Sequence, residues 1–322
     1  MYELLSNAQP RVLRIINNSK KNHRLSHAYL FTGPKGSYKK EMAKYFAMML
    51  YCKEEIPCEK CASCKAILEG RHLNVYTVSP LGQSIKKEQI MALQEEFSKT
   101  SLIDGPRVYI IEDADLMSLS AANSLLKFIE EPTSEIYGIL ITEHIDNILP
   151  TIKSRSINIT FDELNKEHLK RLLLKEGYND LASEALAFLT NNCDEAKEIY
   201  NTNANDRVIG LLASFSKKLK DKSPIGLFYR ANDLLYDRNH MKLFLTLLEG
   251  YFRDIYEYKL KENILYFSSL KEDIMTISTY YSQEELLAFI KQILDLIKKL
   301  SYNVNMSLLF NRFLIDLKGG RI

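Results

Sequence analysis

The 322-residue sequence has almost no net charge. Its 43 Lys and Arg and 41 Asp and Glu leave a formal balance of +2. A dedicated nucleic-acid binder usually carries a marked basic excess, so the balance gives that class no support. No run of 18 apolar residues occurs, which argues against a membrane-spanning helix. The first stretch, MYELLSNAQPRVL, lacks the long apolar core and small-residue cleavage site of a secretory signal. There is no internal repeat and no low-complexity tract. These absences predict a soluble, cytoplasmic protein with no membrane partner. What is present is an ordinary globular composition, 46% hydrophobic and 26% charged, in a chain long enough for two or three domains.

The first half alternates strand-like and helix-like segments. HAYLFTG (27–33), NVYTVSP (74–80), RVYIIEDAD (107–115), IYGILITE (136–143) and SINITF (156–161) read as strands. Between them lie helical patterns. EMAKYFAMMLYC (41–52) is one. A second puts Ile90, Leu93 and Phe97 on one face, and a third does the same with Ala122, Leu125, Leu126 and Ile129 before Pro132. Such alternation predicts a five-stranded parallel sheet covered on both faces. After Phe161 the pattern is helical throughout. The expected organisation is an α/β domain over 1–161, a small helical domain over 162–205 and a larger helical domain over 206–322.

The stretch FTGPKGSYKK (31–40) approaches the phosphate-binding pattern G-x-x-x-x-G-K-S/T. Gly33 fits the first glycine, Gly36 lies inside the loop and Lys39 fits the lysine. Tyr38 stands at the second glycine, where the backbone must turn tightly against a phosphate. Lys40 stands where a hydroxyl should hold magnesium, and a protonated lysine cannot ligate a metal. Left in place it would repel a unit charge 4 Å away by about 4 kcal/mol at an effective dielectric of 20, and a divalent ion by about twice that. The third strand ends Glu112-Asp113, the reverse of the usual Asp-Glu order. No arginine occurs from Leu172 to Asp206, where ATPases of this type usually offer a phosphate sensor. These features predict a vestigial nucleotide site that does not hydrolyse ATP.

Four of the five cysteines fall in CKEEIPCEKCASC: Cys52, Cys58, Cys61 and Cys64, spaced C-x5-C-x2-C-x2-C. In a cytosolic chain such clustering points to metal rather than disulfides. Four thiolates suit tetrahedral Zn²⁺ and leave no open coordination position, so the segment is expected to be a structural zinc clip inserted before the second strand. A redox pair would need only two cysteines. Cys193 is read as a packing residue and His72 as structural. Arg155, in TIKSRS (151–156), is by itself either an ordinary surface arginine or a donor to a phosphate.

Taken together, SHAYLFTGPKG, the clustered cysteines, RVYIIEDADLMSLSAANSLLKFIEEP and LPTIKSRS resemble the delta-prime family of bacterial DNA polymerase III clamp-loader subunits. The specific likeness covers about residues 5–160. It implies a fold of the AAA+/P-loop type followed by an all-α lid and an all-α collar. It also implies assembly with delta and ATP-hydrolysing tau/gamma subunits, action on a sliding clamp and primed DNA through that complex, and a cytoplasmic, nucleoid-associated replisome. Members of this family hydrolyse no ATP themselves. Their serine-arginine-cysteine motif gives an arginine to a neighbour's ATP. Here Ser154-Arg155-Ser156 keeps the arginine and replaces the cysteine, so Arg155 is the expected finger. Two rival readings are an active tau/gamma-like ATPase and a zinc-dependent nucleic-acid-binding module. The first normally has an intact loop, and the second a basic-aromatic stripe that this chain lacks.

Overall fold

The computed structural model describes residues 1–99, 103–130, 135–221, 234–302 and 306–319. The chain divides into two compact units, Met1–Leu164 and Asn165–Ile322. The first contains all five expected strands: β1 (Ala28–Thr32), β2 (Val75–Val78), β3 (Arg107–Ile111), β4 (Ile136–Thr142) and β5 (Ile157–Thr160). They form one parallel sheet in the order β2-β3-β4-β1-β5. β1 is buried along its whole length, as its continuous apolar run required.

Side chains alternate between the two faces of a strand. Tyr29, Phe31, Ile139 and Ile141 enter one apolar cluster, whereas Leu30 and Leu140 enter the other. The first cluster is covered by α1 (Tyr2–Ala8), α2 (Pro10–Lys21), α3 (Lys39–Tyr51) and α4 (Ala62–Leu68). The second is covered by α5 (Lys87–Ser98), α6 (Leu119–Glu130) and the single turn α7 (Pro150–Lys153). Ile90, Leu93 and Phe97 are buried as their spacing predicted, and so are Ala122, Leu125 and Ile129. Leu126 is only partly buried. Pro132, read as the stop of α6, lies outside the described residues. Gly138 in β4 admits the Tyr109 ring: a Cβ there would lie 2.1 Å from Tyr109 Cζ. Helices α1, α2 and α4 were not anticipated. Pro10 at the first position of α2 has no N–H to lose there.

The second unit is helical among the described residues: α8 (Lys166–Lys175), α9 (Asp180–Leu189), α10 (Cys193–Asn201), α11 (Asn205–Lys220), α12 (Arg238–Lys261), α13 (Lys271–Ser278), α14 (Gln283–Lys299) and α15 (Met306–Gly319). Its starts are chemically marked. Asn179 accepts the Ala182 N–H, and Ser282 with Glu285 forms a capping box at α14. One apolar cluster extends from Leu169 to Leu317, with Phe215, Phe244, Phe252, Phe289 and Phe313 in ring-to-ring contact. Two buried acids are fully engaged. Glu184 pairs with Lys170 at 2.6 Å, and Asp254 accepts the Leu265 and Phe267 N–H groups at 2.8 and 2.7 Å.

Candidate functional site

The loop after β1 leaves the carboxyl end of the sheet, where parallel α/β sheets bind nucleotides. Gly33 has φ 149°, and a Cβ on it would lie 2.5 Å from the Phe161 carbonyl oxygen, so no larger residue fits. Gly36 also has positive φ (77°). Tyr38 sits at φ 63°, ψ 29°, the left-handed conformation a glycine would take, and caps α3. That costs a residue with a Cβ about 1–2 kcal/mol. The tyrosine ring packs on the edge of the first sheet cluster. The left-handed turn that the sequence pattern gives to a glycine is therefore made here with a tyrosine.

What fills the loop is the protein itself. Lys39 is buried, and its Nζ donates to Gly33 O and Pro34 O at 2.6 Å each and to Ser37 Oγ at 3.3 Å. An ammonium has three N–H donors, and all three are spent. Burial pulls the Lys39 pKa down, against the opposing charges of Glu143, Asp113 and Asp115. Lys40 does not stay where it would repel a metal. Its Nζ reaches Glu112 Oε2 at 2.8 Å, and Ser79 Oγ donates to the same oxygen at 3.0 Å. Burial lowers the Lys40 pKa, but the hydrogen bond and charge of Glu112, with Asp113 and Glu41, outweigh it and leave it raised. Asp113 follows at φ 50° and opens a 3₁₀ turn (Ala114–Leu116). A second pair completes this end of the sheet: Thr142 Oγ1 donates to Asp115 Oδ1 at 2.7 Å.

Sequence reading took carboxylates only from the end of β3. It missed Asp115 and Glu143, which join Glu112 and Asp113 around the two lysines. A usable signal existed, because Thr142-Glu143 ends β4, the strand beside β1. A groove of about 770 Å³, lined in part by Lys20, Lys21, His23, Glu55 and Tyr137, shares no residue with the loop.

The four cysteines do converge. Their sulfurs lie within 4.8 Å of one another. A zinc ion with sulfurs at about 2.3 Å needs them about 3.8 Å apart, so a small contraction completes the set. The backbone is already arranged around sulfur. The amides of Cys58, Cys61 and Cys64 point at Cys52 Sγ (3.3 Å), Cys58 Sγ (3.3 Å) and Cys61 Sγ (3.5 Å). Glu59, at φ 57°, turns the chain between two of the ligands. Amides of Lys60 and Cys61 pull the Cys58 thiol down to about 6, while burial pushes Cys64 up to about 12. Cys64 lies on α4, whose Ile67 enters the sheet core. The donor set fits a metal ion. His72 is instead buried with its ring 4.3 Å from that of Tyr51. Cys193 starts α10, partly buried against the second unit's core.

Arg155 follows α7 and precedes β5, and its side chain is 41% exposed. Nη2 pairs with Glu130 Oε1 at 2.7 Å, and Nη1 donates to Thr151 O at 3.1 Å. Ser156, at the position of the missing cysteine, has a buried Oγ with no hydrogen-bond partner.

The chain shows four similarities to known proteins. The family model described as DNA polymerase III, delta subunit, matches residues 8–165. DNA polymerase III subunit delta' of Bacillus subtilis is 34% identical over 322 residues, covering 98% of each chain. DNA polymerase III subunit tau of the same organism is 25% identical over 277 residues, 78% of this chain and 49% of its own length. A solved gamma subunit-related protein from Thermotoga maritima is 20% identical, with 94% and 98% of the two chains covered and a TM-score of 0.42. With 34% identity to a delta' subunit over nearly the full length of both chains, this chain belongs to the family of DNA polymerase III subunit delta'.

Proposed function

We propose that the protein is a clamp-loader subunit that hydrolyses no ATP itself and supplies Arg155 to the ATP of a neighbouring subunit. One observation carries the reading. The lysine at the pattern's own position, Lys39, is buried with its three donors on the protein's own oxygens, whereas the Arg155 side chain, although paired with Glu130, is 41% exposed. With Lys39 held by Gly33, Pro34 and Ser37, and Lys40 on Glu112, the pattern's lysine is not free for a phosphate and its last position offers magnesium no hydroxyl; the exposed Lys35 is the loop's remaining cation. Gly36, Tyr38 and Asp113 complete this disabled loop. Cys52, Cys58, Cys61 and Cys64 hold a structural zinc ion. Residues 162–205 act as the lid and 206–322 as the collar of an assembly with delta and tau/gamma subunits. Through that assembly the chain meets the sliding clamp and primed DNA in the cytoplasmic replisome.

An arginine supplied in trans is worth about 10³–10⁵ in rate at the site it completes. The test is ATP turnover and clamp loading by complexes rebuilt with wild-type or Arg155→Ala protein. The substitution should lower both while leaving folding and assembly intact. The loss should be partial, because other interfaces carry their own arginines. Lys153→Ala should matter less, since an ammonium lacks the planar fork. Equal rates with assembly confirmed would refute the role of Arg155. Magnesium-dependent turnover near 1 s⁻¹ by the isolated chain, on the order of a slow kinase, would refute the claim that it hydrolyses nothing.

A further inference from the structure

Arg155 is already held. Its Nη2 lies 2.7 Å from Glu130 Oε1, and its Nη1 donates to Thr151 O at 3.1 Å and to Ser154 Oγ at 3.4 Å. A guanidinium has five N–H donors, so these three contacts leave two. Two is the number a bidentate approach to a phosphate takes. The side chain is thus restrained without being used up.

The placement of Glu130 has no local cause. It is the last described residue of α6, toward the end where the helix dipole disfavours an anion. It is 45% exposed, so burial does not hold it either. Its neighbour on the previous turn, Leu126, packs on the sheet core, which fixes where the helix end stands. What the carboxylate gains there is Arg155, on a different element. A long arginine side chain left alone samples many rotamers and loses them when it meets its target. A carboxylate partner removes part of that freedom beforehand.

We propose that Glu130 is a positioning residue for Arg155. Together with the Thr151 carbonyl it orients the guanidinium, so that a neighbour's phosphate meets a donor pair already in place. The proposal rests on the reading of Arg155 as a group acting in trans. A carboxylate beside the guanidinium can also compete with phosphate for it. That competition has the opposite sign in turnover, so experiment separates the two effects.

The experiment uses the complex rebuilt with tau/gamma and delta subunits, primed DNA and clamp, and reads ATP turnover. Glu130→Gln keeps the shape and removes the charge. It should lower kcat by about threefold, the scale of one exposed charge pair, with KM for ATP unchanged. Glu130→Asp should recover part of the loss. Glu130→Gln combined with Arg155→Ala should match Arg155→Ala alone, because Glu130 acts only through Arg155. The isolated Glu130→Gln chain should melt with the wild type. Faster turnover in Glu130→Gln would make the carboxylate a restraint and overturn the proposal. Unchanged turnover, or a double variant slower than Arg155→Ala, would overturn it too. If Arg155→Ala itself has no effect, the in-trans reading falls first. If Arg155→Ala is slow while Glu130→Gln is normal, only the positioning role falls.

Discussion

Removing the metal from the cysteine centre should unfold a module and leave a weakened sheet domain. The cluster is joined to the core mainly through Cys52, just after α3, and Cys64, on α4 beside Ile67, all three buried, with Cys58 packed less closely against the same core. Without an ion, four sulfurs within 4.8 Å have no common partner. The stabilisation by a bound ion follows mass action and is about 4 kcal/mol when free zinc is a thousand times Kd. A unit running Met1–Leu164 has an unfolding entropy of about 0.34 kcal/mol/K. The two figures give a fall in melting temperature of about 12 °C on chelation. The assay is metal analysis of freshly purified, reduced protein, then calorimetry with and without a strong chelator and after zinc is restored. One zinc per chain is expected, with Cys64→Ser failing to hold it. A chelated protein that has lost its zinc and melts within about 2 °C of the loaded one, well under the shift expected for a structural ion, would refute the argument. So would a fresh preparation without zinc.

Three further outcomes are expected. Tyr38→Gly with Lys40→Thr should release Glu112 and restore nucleotide binding measurable by calorimetry, but not full turnover, because Lys39 stays surrounded by acids and no arginine lies between Leu172 and Asp206; full turnover would show that the loop alone was at fault. Ser156→Cys should raise the denaturation midpoint by the equivalent of about 1 kcal/mol, since the buried Oγ has no partner and an unsatisfied hydroxyl costs about 1–3 kcal/mol; a fall in midpoint would show an unseen partner. Leu287→Ser with Leu294→Ser and Ile315→Ser, at positions 49%, 39% and 59% exposed on α14 and α15, should leave the isolated chain folded but impair its assembly with delta and tau/gamma subunits, as judged by gel filtration. Unimpaired assembly would place the contact elsewhere.

Much of the first unit was legible because its signals are local. The strands are continuous β-branched and aromatic runs, and α5 and α6 carry one apolar face each. The cysteine spacing foretold that the four sulfurs meet. The two N-terminal helices were harder. α1 is seven residues long, and the Gln9-Pro10 junction divides what would otherwise be one pattern. Helix α4 was masked by the cysteines, which drew the eye to a loop although Cys61 caps the helix that carries Cys64. The acids around Lys39 come from different strand ends and meet only because the strands are parallel. The Glu130–Arg155 pair joins two elements with no sequence pattern linking them. Lys40 was legible as a poor metal ligand, but its partner was not, since Ser79, Glu112 and Lys40 converge only in the folded sheet.

On the proposed reading, a phosphate loop without its ligand would ordinarily be a liability. Its lysine is buried, and a buried ammonium without partners is costly. Here the lysine's donors are met by Gly33, Pro34 and Ser37, and the next lysine by Glu112. These contacts keep the turn closed without phosphate or metal. The turn in turn borders β5: Gly33 packs against Phe161, and the Phe161 N–H donates to Thr32 O at 2.7 Å. β5 pairs with β1 from Tyr29↔Ile157 to Thr32↔Thr160, and Arg155 stands two residues before that pairing begins. The same strand pair that carries the remnant loop at its carboxyl end therefore anchors the arginine near its start. Changes of Tyr38 or Lys40 that keep the turn closed leave that anchor in place. On the proposed reading, this gives a physical reason why nucleotide chemistry can be lost residue by residue while the geometry around Arg155 is kept.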